Sequence, residues 1–171
     1  MVAELIDGEL FLQPRPAKPH THTASVLGAQ LNVAFQLGRG GPGGWWILYE
    51  PEIHFEHQVL VPDLAGWRRD ATPSFDTETA YYEETPSWVC EVLSPSTEAL
   101  DRIKKLRVYH RAGVRHAWLV HPTHRTIEVF RSDPAGLLLA ATALGEETVE
   151  LEPFEALPLE LSSLWFPNSA P

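Results

Sequence analysis

The chain has 171 residues, 44% of them apolar and 10% aromatic, and a formal net charge of −10. That length suits one domain, 1–171, with a packed core, and the composition excludes disorder. Cys90 is the single cysteine, which excludes a disulfide scaffold, and no apolar run approaches the ~20 residues of a membrane span.

Residues 4–11 read as two short strands around an Asp7-Gly8 turn. The start of the chain lacks the basic-then-apolar pattern of a signal peptide, so the expected compartment is the cytoplasm. After the proline-rich residues 14–19, Leu27, Leu31, Ala34 and Phe35 recur at helical spacing and predict a helix over Thr21–Leu37. The glycine run from Gly38 to Gly44 ends it. Strands are expected at Trp45–Tyr49, Ile53–His57 and Val59–Trp67, then a loop over Arg68–Pro86 with one helical turn near Thr77–Tyr82. The nearly continuous apolar run from Trp88 to Leu93 suits a central strand covered on both faces. Ser94-Pro95 opens a second helix, expected to reach Ala112 with Gly113 closing it. His116–His121 and Arg125–Arg131 form strands about a Pro122-Thr-His turn, and Leu137–Ala143 and Thr148–Leu151 add weaker ones. Strand–helix–strand from Trp88 to Val120 predicts a right-handed crossover and parallel neighbours. The class is α/β, bordering on α+β, with a mixed central sheet flanked by helices.

Two carboxylates stand out by their surroundings. Asp63 and Glu91 each interrupt an apolar segment, and a buried ionised carboxylate needs a partner. Two of them on adjacent strands suit one shared Mg²⁺, with Mn²⁺ as a substitute. The competing reading is that Asp63 starts a loop and Glu91 pairs with an arginine. Leu93 shares the face of Glu91 and offers no cation. Three residues of strand before Ser94 span about 10 Å, and the roughly eight helical residues to Lys105 return about 12 Å. That brings Lys105 level with Glu91. An exposed Asp101–Lys105 pair at i, i+4 is the plainer role for that lysine.

Pro62-Asp63, then Glu91-Val-Leu-Ser-Pro-Ser-Thr, then Asp101, Lys105 and Tyr109 at four-residue spacing, then Ala112-Gly-Val, together resemble a bacterial family of restriction-endonuclease-like proteins in the PD-(D/E)XK nuclease superfamily. The likeness runs over roughly residues 5–131. It implies Mg²⁺-dependent hydrolysis of phosphodiester bonds in DNA. Asp63 and Glu91 match the metal-binding acids. Leu93 departs from the lysine that usually follows two residues on, and the resemblance implies that Lys105 replaces it from the next helix. His20 matches a histidine found before the first helix, whereas His121 stands where an aspartate is common. Many members of the superfamily use a glutamate from the first helix; Thr21–Leu37 has none, and Gln30 is the acid-like shape considered in its place. Glu50 and Glu52 read better as strand-edge surface residues.

The expected mechanism has Asp63, Glu91 and the main-chain carbonyl of Val92 holding the ion and Lys105 assisting. His20, Gln30 and Asp101 are accessory candidates, and Arg102, Arg107, Arg111 and Arg115 would contact phosphates. A catalytically inert nucleic-acid-binding or regulatory protein is the alternative, favoured by the acidic charge. A glycoside hydrolase built on Asp63 and Glu91 leaves Lys105 unexplained. His54/His57 and His121/His124 each lack a second ligand pair for zinc and read as surface residues. Trp45, Trp46, Tyr81, Tyr82, Trp88, Trp118 and Trp165 are many rings for a small core, which suggests a homodimer or higher homo-oligomer.

Overall fold

The computed structural model describes residues 1–167. A six-stranded mixed sheet, in the order β10-β9-β8-β7-β6-β3, forms its centre. These strands are β3 (Trp45–Tyr49), β6 (Leu64–Arg68), β7 (Trp88–Val92), β8 (His116–His121), β9 (Thr126–Asp133) and β10 (Gly136–Leu144). β7 and β8 run parallel, as the crossover between them requires, and the other pairs are antiparallel. A second sheet orders β2 (Glu9–Gln13), β1 (Val2–Ile6), β5 (Gln58–Leu60) and β4 (Ile53–Phe55). A two-stranded ribbon joins β11 (Thr148–Val149) to β12 (Leu159–Glu160).

Strand alternation divides β7 between two cores. Trp88, Cys90 and Val92 face helix α1 (Lys18–Leu31) and the segment from Leu151 to Trp165. Val89, Glu91 and Leu93 face the small sheet and helix α2 (Leu106–Arg111). Every residue of β7 is buried, which is why the run reads as apolar throughout. The aromatic residues serve these cores: Trp45, Trp88, Trp118 and Trp165 are all buried, and Trp46, Tyr81 and Tyr82 are half-buried. They therefore give no ground for a homo-oligomer. Among the exposed large apolar side chains are leucines on edge strands, Leu10 and Leu12 on β2, and Leu138, Leu139 and Leu144 on β10.

Several boundaries differ from expectation. Helix α1 begins at Lys18, because Pro19 is tolerated in a first turn that needs no amide donor. It continues to Gln36 as a π-helical turn, closed by Leu37 N–H donating to Asn32 O at 2.9 Å. The expected strand Val59–Trp67 is two strands in different sheets, broken at Val61–Asp63, where Pro62 cannot donate to a ladder. The expected helical turn near Tyr82 is an isolated bridge to Ile53, with Tyr82 packed on Trp67. The second helix does not start at Ser94: residues 95–97 form a turn, Leu100–Lys105 is π-helical, and α2 follows. The π-turn holds because Leu106 N–H donates five residues back, to Asp101 O.

Candidate active site

The break at Pro62 positions Asp63. Leu64 pairs with Cys90 across β6 and β7, and continuing that register by one residue sets Asp63 opposite Glu91. Asp63 Oδ2 accepts from Val92 N–H at 2.7 Å, and Oδ1 lies 2.7 Å from His20 Nε2, at the entry to α1. The histidine loses solvent on burial, which lowers its pKa. The bond and charge of Asp63, with Asp101 and Glu50 beyond, outweigh that loss and raise it.

Lys105 arrives from the π-turn. Its Nζ lies 2.7 Å from Glu91 Oε1, 2.9 Å from Glu4 Oε1 and 3.8 Å from Asp101 Oδ1, and Tyr109 donates its hydroxyl to the same Glu91 oxygen. All four charged groups are at most 3% exposed. Burial alone would lower the lysine's pKa; the three carboxylates overcome it and raise it. The acids behave oppositely. Burial pushes Glu91 well above the carboxylate range despite Lys105, and it pushes Asp101 up to about 6. Three carboxylates around one ammonium leave a surplus of negative charge.

Glu4 is a member of this cluster that the sequence reading does not single out. It sits mid-strand on β1, fully buried, with Oε1 also accepting from Val61 N–H at 2.8 Å and Oε2 accepting from Gln13 at 2.6 Å. Its signal is an acid two residues before Ile6 on one strand face, visible only once β1 begins at Val2 rather than at Glu4. An acid from the first strand thus stands beside the lysine where the first helix offers none.

A cavity of about 270 Å³ opens on this cluster, lined by Glu4, Asp63, Glu91, Asp101 and Lys105, by His20 and Glu50, and by Arg15 and Ser94–Thr97. The other sequence candidates lie elsewhere. Gln30 donates to Ser163 on the far face of the sheet. Arg102 is tied to Glu98 and Glu128, Arg111 to Asp7, and Arg107 and Arg115 are exposed; none of the four lines the cavity. His121 is buried, not on the surface, and stacks on His124 with ring centroids 3.8 Å apart. Cys90 is fully buried, with its thiol pushed up by burial, and faces the other core.

Among the described residues, no three of His, Cys, Asp or Glu are arranged to hold a metal by themselves. The donor chemistry nevertheless suits a hard cation. Mg²⁺ is commonly held by one or two carboxylates and keeps several waters; each Asp63 oxygen meets one partner and retains a lone pair, and both contacts to Glu91 fall on Oε1. The negative surplus supplies the electrostatic match.

The fold and this lysine-bearing acidic crevice define a restriction-endonuclease-like α/β protein. The chain belongs to the Uma2 family, described as "Putative restriction endonuclease", whose model matches residues 2–164. It is similar to a solved structure described as a "putative nuclease belonging to DUF820 from Anabaena variabilis". The TM-score is 0.75 at 21% identity, covering 95% of this chain and 88% of that one, a likeness of fold. No curated protein matches the chain. Among the described residues no helix is long and apolar enough to cross a membrane.

Proposed function

We propose that the chain is a divalent-metal-dependent nuclease that hydrolyses phosphodiester bonds in DNA. The observation that carries this reading is one cavity lined by four buried or half-buried carboxylates and one buried lysine, in a chain of a nuclease-related family. Asp63 and Glu91, with the main-chain carbonyl of Val92, would hold Mg²⁺, or Mn²⁺ in its place. When bound, such an ion offsets phosphate charge and lowers the pKa of a water.

The protein's own groups divide the remaining work. Val92 N–H and His20 fix both oxygens of Asp63 and so set the direction of its remaining lone pairs. Tyr109 and Lys105 both hold Oε1 of Glu91 and so fix the orientation of that carboxylate. Lys105 remains an ammonium at any working pH and stands where it can offset charge building on a phosphate oxygen. Glu4 and Asp101 hold that ammonium in place. A homo-oligomer belongs to the same proposal, supported by the exposed leucines of the edge strand β10.

A second reading, a nuclease fold retained for binding without turnover, is favoured by the lack of a three-ligand group among the described residues. Cleavage of plasmid and single-stranded DNA in Mg²⁺ or Mn²⁺ separates the two. Asp63→Ala and Lys105→Ala are expected to lose on the order of a hundredfold in rate. Equal cutting by Asp63→Ala overturns the site, and calorimetric titration without metal uptake at millimolar concentration favours the inert reading.

A further inference from the structure

The helical basic run, which the sequence offered as the phosphate-binding surface, is largely committed within the fold. Lys104 pairs with Glu9, Lys105 lies among its carboxylates, Arg102 bridges two glutamates and Arg111 holds Asp7. The cavity itself presents acids. A substrate phosphate entering it therefore needs a cation from another element.

Arg15 meets that need. It lies between β2 and α1, lines the cavity, is exposed, and forms no ion pair or hydrogen bond through its side chain among the described residues. Prolines 14 and 16 flank it. Each fixes its own φ, and Pro16 also biases Arg15 towards extended backbone, so the segment is stiff and little entropy is lost on presenting the side chain. A guanidinium fork fits two phosphate oxygens at once and is more weakly hydrated than an ammonium. We propose, resting on the nuclease reading above, that Arg15 grips a phosphate of single-stranded nucleic acid at the mouth of the cavity.

The preference for a single strand follows from the supply of positive charge. Duplex DNA carries a charge about every 1.7 Å of its axis, and binding it demands many neutralised phosphates. Here the net charge is −10, and Arg15 is the one cation of the cavity lining not already engaged among the described residues. One gripped phosphate suits a single strand whose next phosphodiester drops towards Asp63 and Lys105. It is too little to hold a duplex.

Steady-state cleavage in Mn²⁺ or Mg²⁺ of a fluorescein-labelled single strand, and of the same sequence as a duplex, tests this with wild type, Arg15→Ala, Arg15→Lys and Arg39→Ala. Arg15→Ala should raise KM for the single strand about tenfold with kcat nearly unchanged, the loss of one charge-assisted phosphate contact. Arg15→Lys should recover part of that loss, since it keeps the charge without the fork. The dependence of log kcat/KM on log salt should flatten by about 0.7 in Arg15→Ala. Arg39→Ala, an exposed arginine outside the lining, should keep the wild-type KM, and the melting temperatures of all four should agree. An unchanged KM in Arg15→Ala while wild type cuts overturns the role of Arg15 alone. A lower KM for duplex than for single strand overturns the substrate class. A wild type that cuts neither overturns the nuclease reading itself, and this inference with it.

Discussion

At the scale of single residues, the cluster around Lys105 is out of balance, and the imbalance makes opposite predictions for two neighbours. Lys105→Met removes the one ammonium and leaves Glu91 buried beside two further acids. Stability should fall by about 3–5 kcal/mol at pH 8, and by less at pH 5, because acid favours the neutral form of a carboxyl that burial already pushes up. Urea unfolding at the two pH values checks this. Asp101→Asn should do the reverse. The folded-state pKa of about 6 lies above the unfolded value of 3.8, so between these values the folded chain holds a proton that the unfolded chain has released. Stability therefore falls as pH rises through that window, and the full penalty persists above it. The asparagine variant should be more stable than wild type by about 2–3 kcal/mol at pH 8, with the difference vanishing towards pH 4. Equal pH dependence of the two proteins would show that Asp101 carries no such strain.

The elements decide which residues reach this cluster. A regular α-helix from Ser94 would have given Asp101 and Lys105 a different relative phase; the π-turn over Leu100–Lys105 adds a residue between the start of the helical segment and α2. Leu106, Val108 and Tyr109 anchor α2 in the core, so its position is set independently of the turn before it. Deleting Ile103, which is exposed within the π-turn, should restore α-geometry. Asp101 and Lys105 would then be three residues apart, still neighbours but no longer in the present contact, while α2 and the sheet remain. The expected result is a folded protein by circular dichroism with cleavage reduced by about tenfold or more. Retained activity would mean that the extra residue has no bearing on the site.

For the whole molecule, acid-rich composition and a cavity with surplus negative charge point the same way. A cation that binds the folded state and not the unfolded one stabilises it by RT ln(1 + [L]/Kd), about 2.7 kcal/mol at a hundred times Kd. Mg²⁺ or Mn²⁺ should raise the melting temperature above that in KCl of equal ionic strength, and Asp63→Ala should abolish the rise. Equal shifts in both proteins would assign the effect to general screening. The two-sheet layout makes this test local: Asp63 lies where the chain passes from the small sheet to the large one, between elements that meet only through tertiary packing.

Much of this was legible in the chain itself. The central strand at Trp88–Val92, the crossover to a parallel β8, and the odd placement of Asp63 and Glu91 are local patterns, because alternation and rise per residue are properties of the backbone. Lys105 was reachable by the same arithmetic. Glu4, the break at Pro62 and the Arg102–Glu128 and Arg111–Asp7 pairs were not, since each depends on a partner far away in sequence. Glu4 has meaning only beside Lys105, Pro62 only once β5 and β6 join separate sheets, and Arg102 only when Glu128 arrives from β9. Local sequence determines which face of an element is apolar. Which charges face one another inside is decided by how the two sheets pack, a choice made by the summed burial of both cores.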